Sequence, residues 1–503
     1  MIKLHPRVGH LLAGLAGACA TLAFSPFDLW PVFPLVSAAI FWLMHGLSPR
    51  QAACRGWWFG VGFYGAGVSW VYVSIHNFGS APAPLAFTFT ALFVMALALV
   101  FTVPQFSLYR WFCQRINHEN SWPPVLFFSA TWVLFEWVRS WFLTGFPWLY
   151  GGYTLIDTPL SGWAPVTGVL GLSLLLVLFA SGLTQYLRYR HDRALLALLT
   201  STVVLLLLSF PFQTIQWTQP VKDKTLSFAA VQGNISQDLK WKPGHLDDTI
   251  ETYLQLTQPF WSKDIVIWPE NAIPTLYQNV PALMDQLDAK GKEAKTSLVL
   301  GMPWYENDRF YNSIISLGSG DGHYFKKKLV PFGEYVPFES VLRGLIAFFD
   351  LPMSSFSLGS DNQPPLQASG YPFAAYVCYE VVYPDFSAMQ ARDTGFLITI
   401  SNDTWFGTSI GPFQHFQMAR MRALETGRYM IRGTNDGISA LINEKGHVVN
   451  QIAQYQAGVL EGELPVMTGD TPFMRLGSWP VLAFCLLLLV IVDPTIKTVN
   501  SQI

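Results

Sequence analysis

Ala194-Leu195-Leu196-Ala197-Leu198-Leu199-Thr200-Ser201-Thr202-Val203-Val204-Leu205-Leu206-Leu207-Leu208, running on to Gln213, carries no charge, and it lies between Arg193 and the polar run Lys222-Asp223-Lys224. A helix needs about 20 such residues to cross the hydrocarbon core of a bilayer. Working back from this stretch, largely uncharged apolar windows lie near 164–186, 123–142, 85–108, 56–76, 28–47 and 8–25, and one more follows near 476–493. Between the stretch and that last window the chain turns polar from about 221 to 470, long enough for one globular domain. The organisation expected is seven spans over 1–214, a domain over 221–470, and an eighth span with its tail over 471–503. Composition points the same way: 51% hydrophobic residues against 13% charged ones is unusual for a water-soluble protein.

Charge placement gives an expected orientation, because Lys and Arg of short connectors stay on the cytoplasmic side. Lys3 and Arg7, Arg50 and Arg55, Arg110 and Arg115, and Arg188, Arg190 and Arg193 fall in alternate connectors, whereas the connectors around Phe27 and around His76 to Pro84 have none. The one around Trp148 has only Arg139, at a helix end. Both termini are expected in the cytoplasm and the polar domain on the outer face, which in a Gram-negative inner membrane is the periplasm. The first window, with two basic residues ahead of it, imitates a secretory signal. Leu15 stands one residue too far from Cys19 for a lipoprotein processing box, so an uncleaved first span is expected.

Cys19, Cys54, Cys113 and Cys485 lie in or beside apolar stretches, which leaves Cys378 alone in the polar part and rules out a disulfide framework there. No H-E-x-x-H or paired metal spacing occurs among the histidines and no Walker loop occurs, so neither metal nor cofactor is expected. Gly318-Ser319-Gly320-Asp321-Gly322 is better read as a hairpin turn than as a phosphate cradle. The charge distribution, ten Lys/Arg against five Asp/Glu in residues 1–213 and 20 against 27 in 214–492, offers no basic patch for nucleic acid.

Within 221–470, short β-branched or aromatic runs bounded by Gly, Pro, Asn and Asp predict strands at 226–231, 264–268, 297–302, 313–317, 324–329, 373–378 and 396–400. The stretch 412–428 has helical spacing, with Phe416, Ala419, Ala423 and Leu424 on one face. Interleaved strands and helices make a layered α/β domain. Three strand ends terminate in reactive side chains: Glu270 after Ile265 to Pro269, Lys326 after His323 to Phe325, and Cys378 after Ala375 to Val377. Taken singly, each has a plain structural reading, as a turn glutamate, a solvated lysine and a small core residue. A carboxylate, an ammonium and a thiol converging on one place would be chemistry.

Read together, Trp268-Pro269-Glu270-Asn271, the run Lys326-Lys327-Lys328-Leu329-Val330-Pro331-Phe332-Gly333-Glu334, Val377-Cys378-Tyr379-Glu380 and Ser401-Asn402-Asp403-Thr404-Trp405-Phe406 resemble the signature segments of the nitrilase superfamily. That resemblance implies an αββα sandwich with a Glu-Lys-Cys triad, and its spacing selects Lys326 among the three lysines. A nitrilase-like domain set between membrane spans resembles one branch, the apolipoprotein N-acyltransferases, as do Phe24-Ser25-Pro26-Phe27-Asp28 and Thr144-Gly145-Phe146-Pro147-Trp148. The fold class expected is therefore an α-helical membrane bundle of about eight helices plus an α/β sandwich. The catalytic set implied is Glu270, Lys326 and Cys378, supported by Glu334, Tyr379 and Glu380.

The resemblance further implies a phospholipid acyl donor, a thioester on Cys378, and a diacylglyceryl apolipoprotein whose N-terminal amine is the acceptor, with the protein acting as a monomer. A thiol with a pKa near ~8.5 is mostly protonated at neutral pH, so Glu270 would take its proton and Lys326 would steady the oxyanion. The apolar run from Phe338 to Leu358, with Phe348, Phe349 and Leu351, suggests a lid, and Trp148, Tyr150, Trp241 and Trp405 suggest aromatic substrate contacts. An amidase using the same triad differs only in the acceptor. A transporter is disfavoured because Glu136 and Arg139 are nearly the only charges within the spans.

Overall fold

The structure, a computed structural model, describes residues 5–79, 81–116, 119–242, 244–336 and 355–492. Every one of the eight apolar windows contains a helix, but the helices differ in reach. Among the described residues, three helical runs are long and apolar enough to cross a membrane: Ala83–Cys113, Pro159–Arg188 and Arg193–Thr214. Val32–Leu43, Pro123–Val138 and Trp479–Val492 are apolar but shorter, and 12 residues from Val32 to Leu43 rise only about 18 Å against a core of about 30 Å. Among the described residues, length and composition alone thus mark three of the eight expected spans as long enough to cross. The helix Pro6–Ala20 ends short of its window, and the connector expected around Phe27 extends from Phe24 to Pro31.

Start signals are local. Ser48 Oγ accepts from Gln51 N at 3.3 Å while Gln51 Oε1 accepts from Ser48 N at 2.9 Å, a reciprocal cap on the helix Pro49–Gly67. Asp192 accepts from Ala194 N at 2.8 Å and Leu195 N at 3.2 Å at the head of Arg193–Leu207.

The polar segment forms two six-stranded sheets. β1 (Gln219–Gln232), β2 (Ile265–Ile267) and β3 (Ser297–Glu306) run parallel, joined by the crossover helices Leu246–Thr257 and Pro281–Ala294. Asn307 and Asp308, both at positive φ (51° and 58°), then turn the chain into β4 (Arg309–Gly318) as a two-residue hairpin. β4 continues through the Gly318–Gly322 turn, as the sequence indicates, into β5 (His323–Phe325). The second sheet repeats the scheme with β6 (Leu366–Ala368), β7 (Tyr371–Val377), β8 (Phe396–Ser401), β9 (Met430–Thr434), β10 (Ser439–Ile442) and β11 (Val448–Ile452), in the order β11-β10-β9-β8-β7-β6. β12 (Gly458–Thr468) returns to pair antiparallel with β1.

Alternation along the strands sorts the side chains. Phe228, Ala230, Ile265 and Ile267 face Phe373, Ala375, Val377, Ile398 and Ile400 in the core between the sheets, while Ala229, Val231, Val266 and Leu298 pack outward with Tyr253, Met284 and Leu287 of the two crossover helices. Each predicted strand is present, except that the fifth stops at Phe325, so Lys326 to Leu329 lies beyond the sheet and strand alternation does not decide which lysine enters the site.

On the outer face of the second sheet the partner layer is shared with the membrane-type helices. The helix Gly411–Thr426 is buried nearly all round. Phe416, Ala419, Ala423 and Leu424 belong to the same core as Val169 to Leu178 of the long helix Ala164–Arg188. Its polar positions are also covered, because they meet loops of the helical part. Gln414 joins Trp148 Nε1 (2.7 Å) and Gly67 O (3.1 Å), Gln417 joins Ser25 and Asp28, and Arg420 pairs with Asp157. Glu425 Oε1 accepts from Val169 N at 2.8 Å, where Gly168 (φ 65°) breaks the helix and frees that N–H.

Candidate active site

Each reactive side chain sits where a strand gives way to a turn. β2 ends in Trp268-Pro269-Glu270-Asn271, with Asn271 at φ 49°, and this turn lies directly on β3: Trp268 N donates to Val299 O (2.8 Å) and Ala272 N to Gly301 O (2.9 Å). Residue 301 has to be glycine, because a Cβ there would stand 2.8 Å from both Glu270 Cα and Pro269 O. β7 ends at Cys378, which adopts φ 50°, a left-handed conformation that costs a non-glycine residue about 1–3 kcal/mol and turns the chain sharply off the sheet. Lys326 follows β5, its N–H donating to Asn312 O at 2.9 Å.

Lys326 is 1% exposed and its Nζ lies 2.8 Å from Glu334 and 3.6 Å from Glu270 Oε1. Burial alone would lower its pKa, but Glu334 and then Glu270 outweigh burial, and the ammonium is held firmly charged. Asn312 ties the two carboxylates together, Nδ2 donating to Glu270 Oε1 at 2.8 Å and to Glu334 Oε1 at 2.7 Å. Glu270 Oε2 accepts from Asn402 N at 2.9 Å, and Glu334 Oε2 from Val330 N at 2.8 Å. Cys378 is half-buried. Burial pushes its thiol well above the ordinary range, Glu270 adds to that, and Lys326 offsets only part. The resting pair is therefore a neutral thiol near a carboxylate, which suits proton transfer during attack better than a standing thiolate.

Glu380 and Tyr379 support the site from behind. Glu380, fully buried, accepts from Val377 N (2.8 Å), Lys327 N (2.6 Å), Lys328 N (3.2 Å) and Tyr324 OH (2.8 Å), which pins the chain after Lys326 to the chain before Cys378. Burial raises its pKa to about 7. Tyr379 OH donates to Gly145 O at 3.1 Å and Tyr383 OH to Thr144 O at 3.0 Å, so the loop Thr144 to Trp148 of the helical part is fastened to the turn bearing the nucleophile.

Trp148 and Tyr150 are buried in that joint and are not displayed at a surface. Trp405 is half-buried, its carbonyl accepting from Ser74 Oγ at 2.7 Å, and Trp241 is half-buried beside Lys240. Phe348, Phe349 and Leu351 lie outside the described residues.

Sequence reasoning missed three groups. Asn312 was legible only as a polar interruption of a strand. His415, Asp403 and Arg432 form a buried cluster against the nucleophile: His415 Nε2–H donates to Cys378 O at 3.1 Å, and Arg432 pairs with Asp403 at 2.6 Å. Burial and then the Arg432 charge lower the His415 pKa while Asp403 opposes them, and its Nδ1 lies 3.2 Å from both Asp403 Oδ1 and the Arg432 guanidinium. The third is Lys240. Among the described residues, no group of three His, Cys, Asp or Glu is arranged to hold a metal.

The sequence model of the apolipoprotein N-acyltransferase N-terminal domain matches residues 16–182, and that of carbon-nitrogen hydrolases matches residues 227–473. An apolipoprotein N-acyltransferase of Pseudomonas putida is 47% identical, covering 96% of this chain and 95% of that protein. Its counterpart in Azotobacter vinelandii is 45% identical over 96% and 94%. Among solved structures, Saccharomyces cerevisiae Nit3, a member of branch 10 of the nitrilase superfamily, is similar over 49% of this chain and 93% of its own, with 18% identity and a TM-score of 0.38.

Proposed function

The chain belongs to the apolipoprotein N-acyltransferase family, and from that premise we propose a ping-pong transfer of a fatty acyl group from a phospholipid, through a thioester on Cys378, to the α-amine of a diacylglyceryl-cysteine at an apolipoprotein's N-terminus. In the first half, Cys378 Sγ attacks the ester carbonyl as its proton passes to Glu270. Lys326 balances the oxyanion, and the C–O bond breaks as Glu270 returns the proton to the leaving lysophospholipid hydroxyl. In the second half the amine attacks the thioester, Glu270 takes the amine proton, and the thiol regains it as the C–S bond breaks. Electrons and protons balance without a cofactor.

The observation that carries the reading is the buried set Glu270 and Lys326, at strand ends, with Asn312 of β4 and Glu334 of the following loop, in a domain that shares a helix layer with long apolar helices. Apolar helices beside the site favour a lipid donor over a small polar amide. Residues 1–214 and 471–503 form the membrane part in this reading and 221–470 the catalytic domain on the periplasmic side. Both termini are cytoplasmic, and one chain suffices for the reaction.

Intact mass of the purified protein after incubation with phospholipid and no acceptor tests it. A hydroxylamine-sensitive acyl adduct, absent from Cys378→Ala, is expected. Native protein that acylates a lipoprotein peptide yet never carries an adduct would overturn the covalent route, and turnover of the thioester to free fatty acid at the rate of peptide acylation would favour a hydrolase.

A further inference from the structure

Lys240 is a buried cation that the reaction above does not use. It stands on the short helical turn Gln237–Lys240, is 1% exposed, and its Nζ donates to the main-chain carbonyl of Glu270 at 3.2 Å. Two carboxylates face it, Glu270 and Asp436, and Asp238 shares its turn. Asp436 Oδ2 accepts from Thr404 Oγ1 at 2.6 Å, and its Oδ1 is buried without a hydrogen-bond partner among the described residues.

Buried charges therefore alternate through the site. Glu334 and Glu270 flank Lys326, and Lys240 and Asp436 continue the series on the other side of Glu270. Gln237, on the same turn as Lys240, accepts from Asn402 Nδ2 at 2.8 Å, and the N–H of Asn402 holds Glu270 Oε2. The turn carrying Glu270 is fastened to β3 on either side of Glu270 and passes through the left-handed Asn271, and Lys240 adds a hold on the Glu270 carbonyl itself.

We propose that Lys240, in its charged form, is a positioning residue for the base: it anchors the Glu270 carbonyl so that the carboxylate meets the thiol and, later, the acceptor amine. The inference rests on the acyl-transfer reading. It also accounts for a cation kept where burial penalises it. Burial lowers the Lys240 pKa to about 8, with Glu270 and Asp436 pulling the other way.

The test uses the full-length protein in detergent with Lys240→Met and Lys240→Arg. It reads the rate of acyl-Cys378 formation from phospholipid, its dependence on phospholipid concentration, the thermal midpoint, and transfer to a diacylglyceryl peptide, from about pH 6 to about pH 10. Lys240→Met is expected to slow acylation by about 10- to 100-fold, the scale of a small misplacement of a reacting group. The phospholipid KM should stay within about twofold, and the loss of rate should persist at temperatures well below the midpoint of the variant, where it is folded. The native rate should fall as pH rises through about 8, and Lys240→Arg, which stays charged, should lose that fall.

Native acylation rates in Lys240→Met, or an unchanged alkaline fall in Lys240→Arg, would each overturn the proposal. Should Lys240→Met not fold, the alkaline limb of Lys240→Arg decides. Should the native protein form no adduct, the thioester reading fails by itself, and peptide transfer in the same variants still decides on Lys240.

Discussion

Replacing Asn312 by leucine keeps the branched shape of the side chain while deleting both N–H bonds that join Glu270 to Glu334. Their lengths, 2.8 Å and 2.7 Å, and their charged acceptors place them in the stronger class of hydrogen bond, at about 1.5–3 kcal/mol each. One bond alone gives a floor of about 1.5 kcal/mol, roughly tenfold in rate, and two independent bonds give a ceiling of about 6 kcal/mol, roughly 10⁴-fold. The bonds share a donor and both acceptors share Lys326, so their effects should not add fully. A loss of about 10²- to 10³-fold in acyl-Cys378 formation is expected, read by intact mass over time in single turnover. Asn312→Asp, which sets a third carboxylate beside the other two, should fall at least as far. Acylation by Asn312→Leu within about threefold of native would refute the idea that this amide fixes the base.

Other substitutions probe neighbouring features. Gly301→Ala should cost activity far more than stability, since its Cβ would press on Glu270 Cα from 2.8 Å, and the ratio of acylation rate to thermal midpoint checks this. Glu380→Gln sets an amide N–H against a backbone N–H and should destabilise by about 1–3 kcal/mol in denaturant or thermal unfolding. Because burial raises the folded pKa of Glu380 to about 7, its contribution to stability is fully present below the ordinary carboxylate range and is lost as pH rises through about 7. The native midpoint should therefore decline over that interval more than the midpoint of Glu380→Gln. Gly168→Ala combines a φ of 65° with a Cβ 2.3 Å from the Phe473 ring and should destabilise by at least about 1 kcal/mol.

Much of the site was legible because it lies at the ends of strands. Short apolar runs closed by a polar residue mark where a sheet stops, and Glu270, Lys326 and Cys378 stand at three such places. What could not be read was set by partners distant in sequence. Asn312 gains meaning only when β4 brings it between two carboxylates from other segments. His415 and Gln414 sit on a helix whose polar face looks solvated in one dimension and is buried in three, since loops from the helical part cover it. The same loops bury Trp148, which the sequence suggests as an aromatic substrate contact. β9 to β12 escaped because Arg432, Asn450 and Glu461 interrupt the alternation that announces a strand. Hydropathy located a helix in each of the eight windows but not how long each helix runs, because apolar loops and apolar helices register alike.

The helix Gly411–Thr426 serves two structures at once, as outer layer of the sandwich and inner wall of the apolar bundle. A catalytic domain hung from a flexible linker would wander in height and tilt above its anchor. Here Gln414, Gln417, Arg420, Arg422 and Glu425 of that one helix reach five separate places in the bundle. The site is thus a fixed fitting whose height and bearing are set during folding. A fragment cut just before β1 would strip this helix of its second neighbour and leave a wall of apolar surface with buried charge facing water.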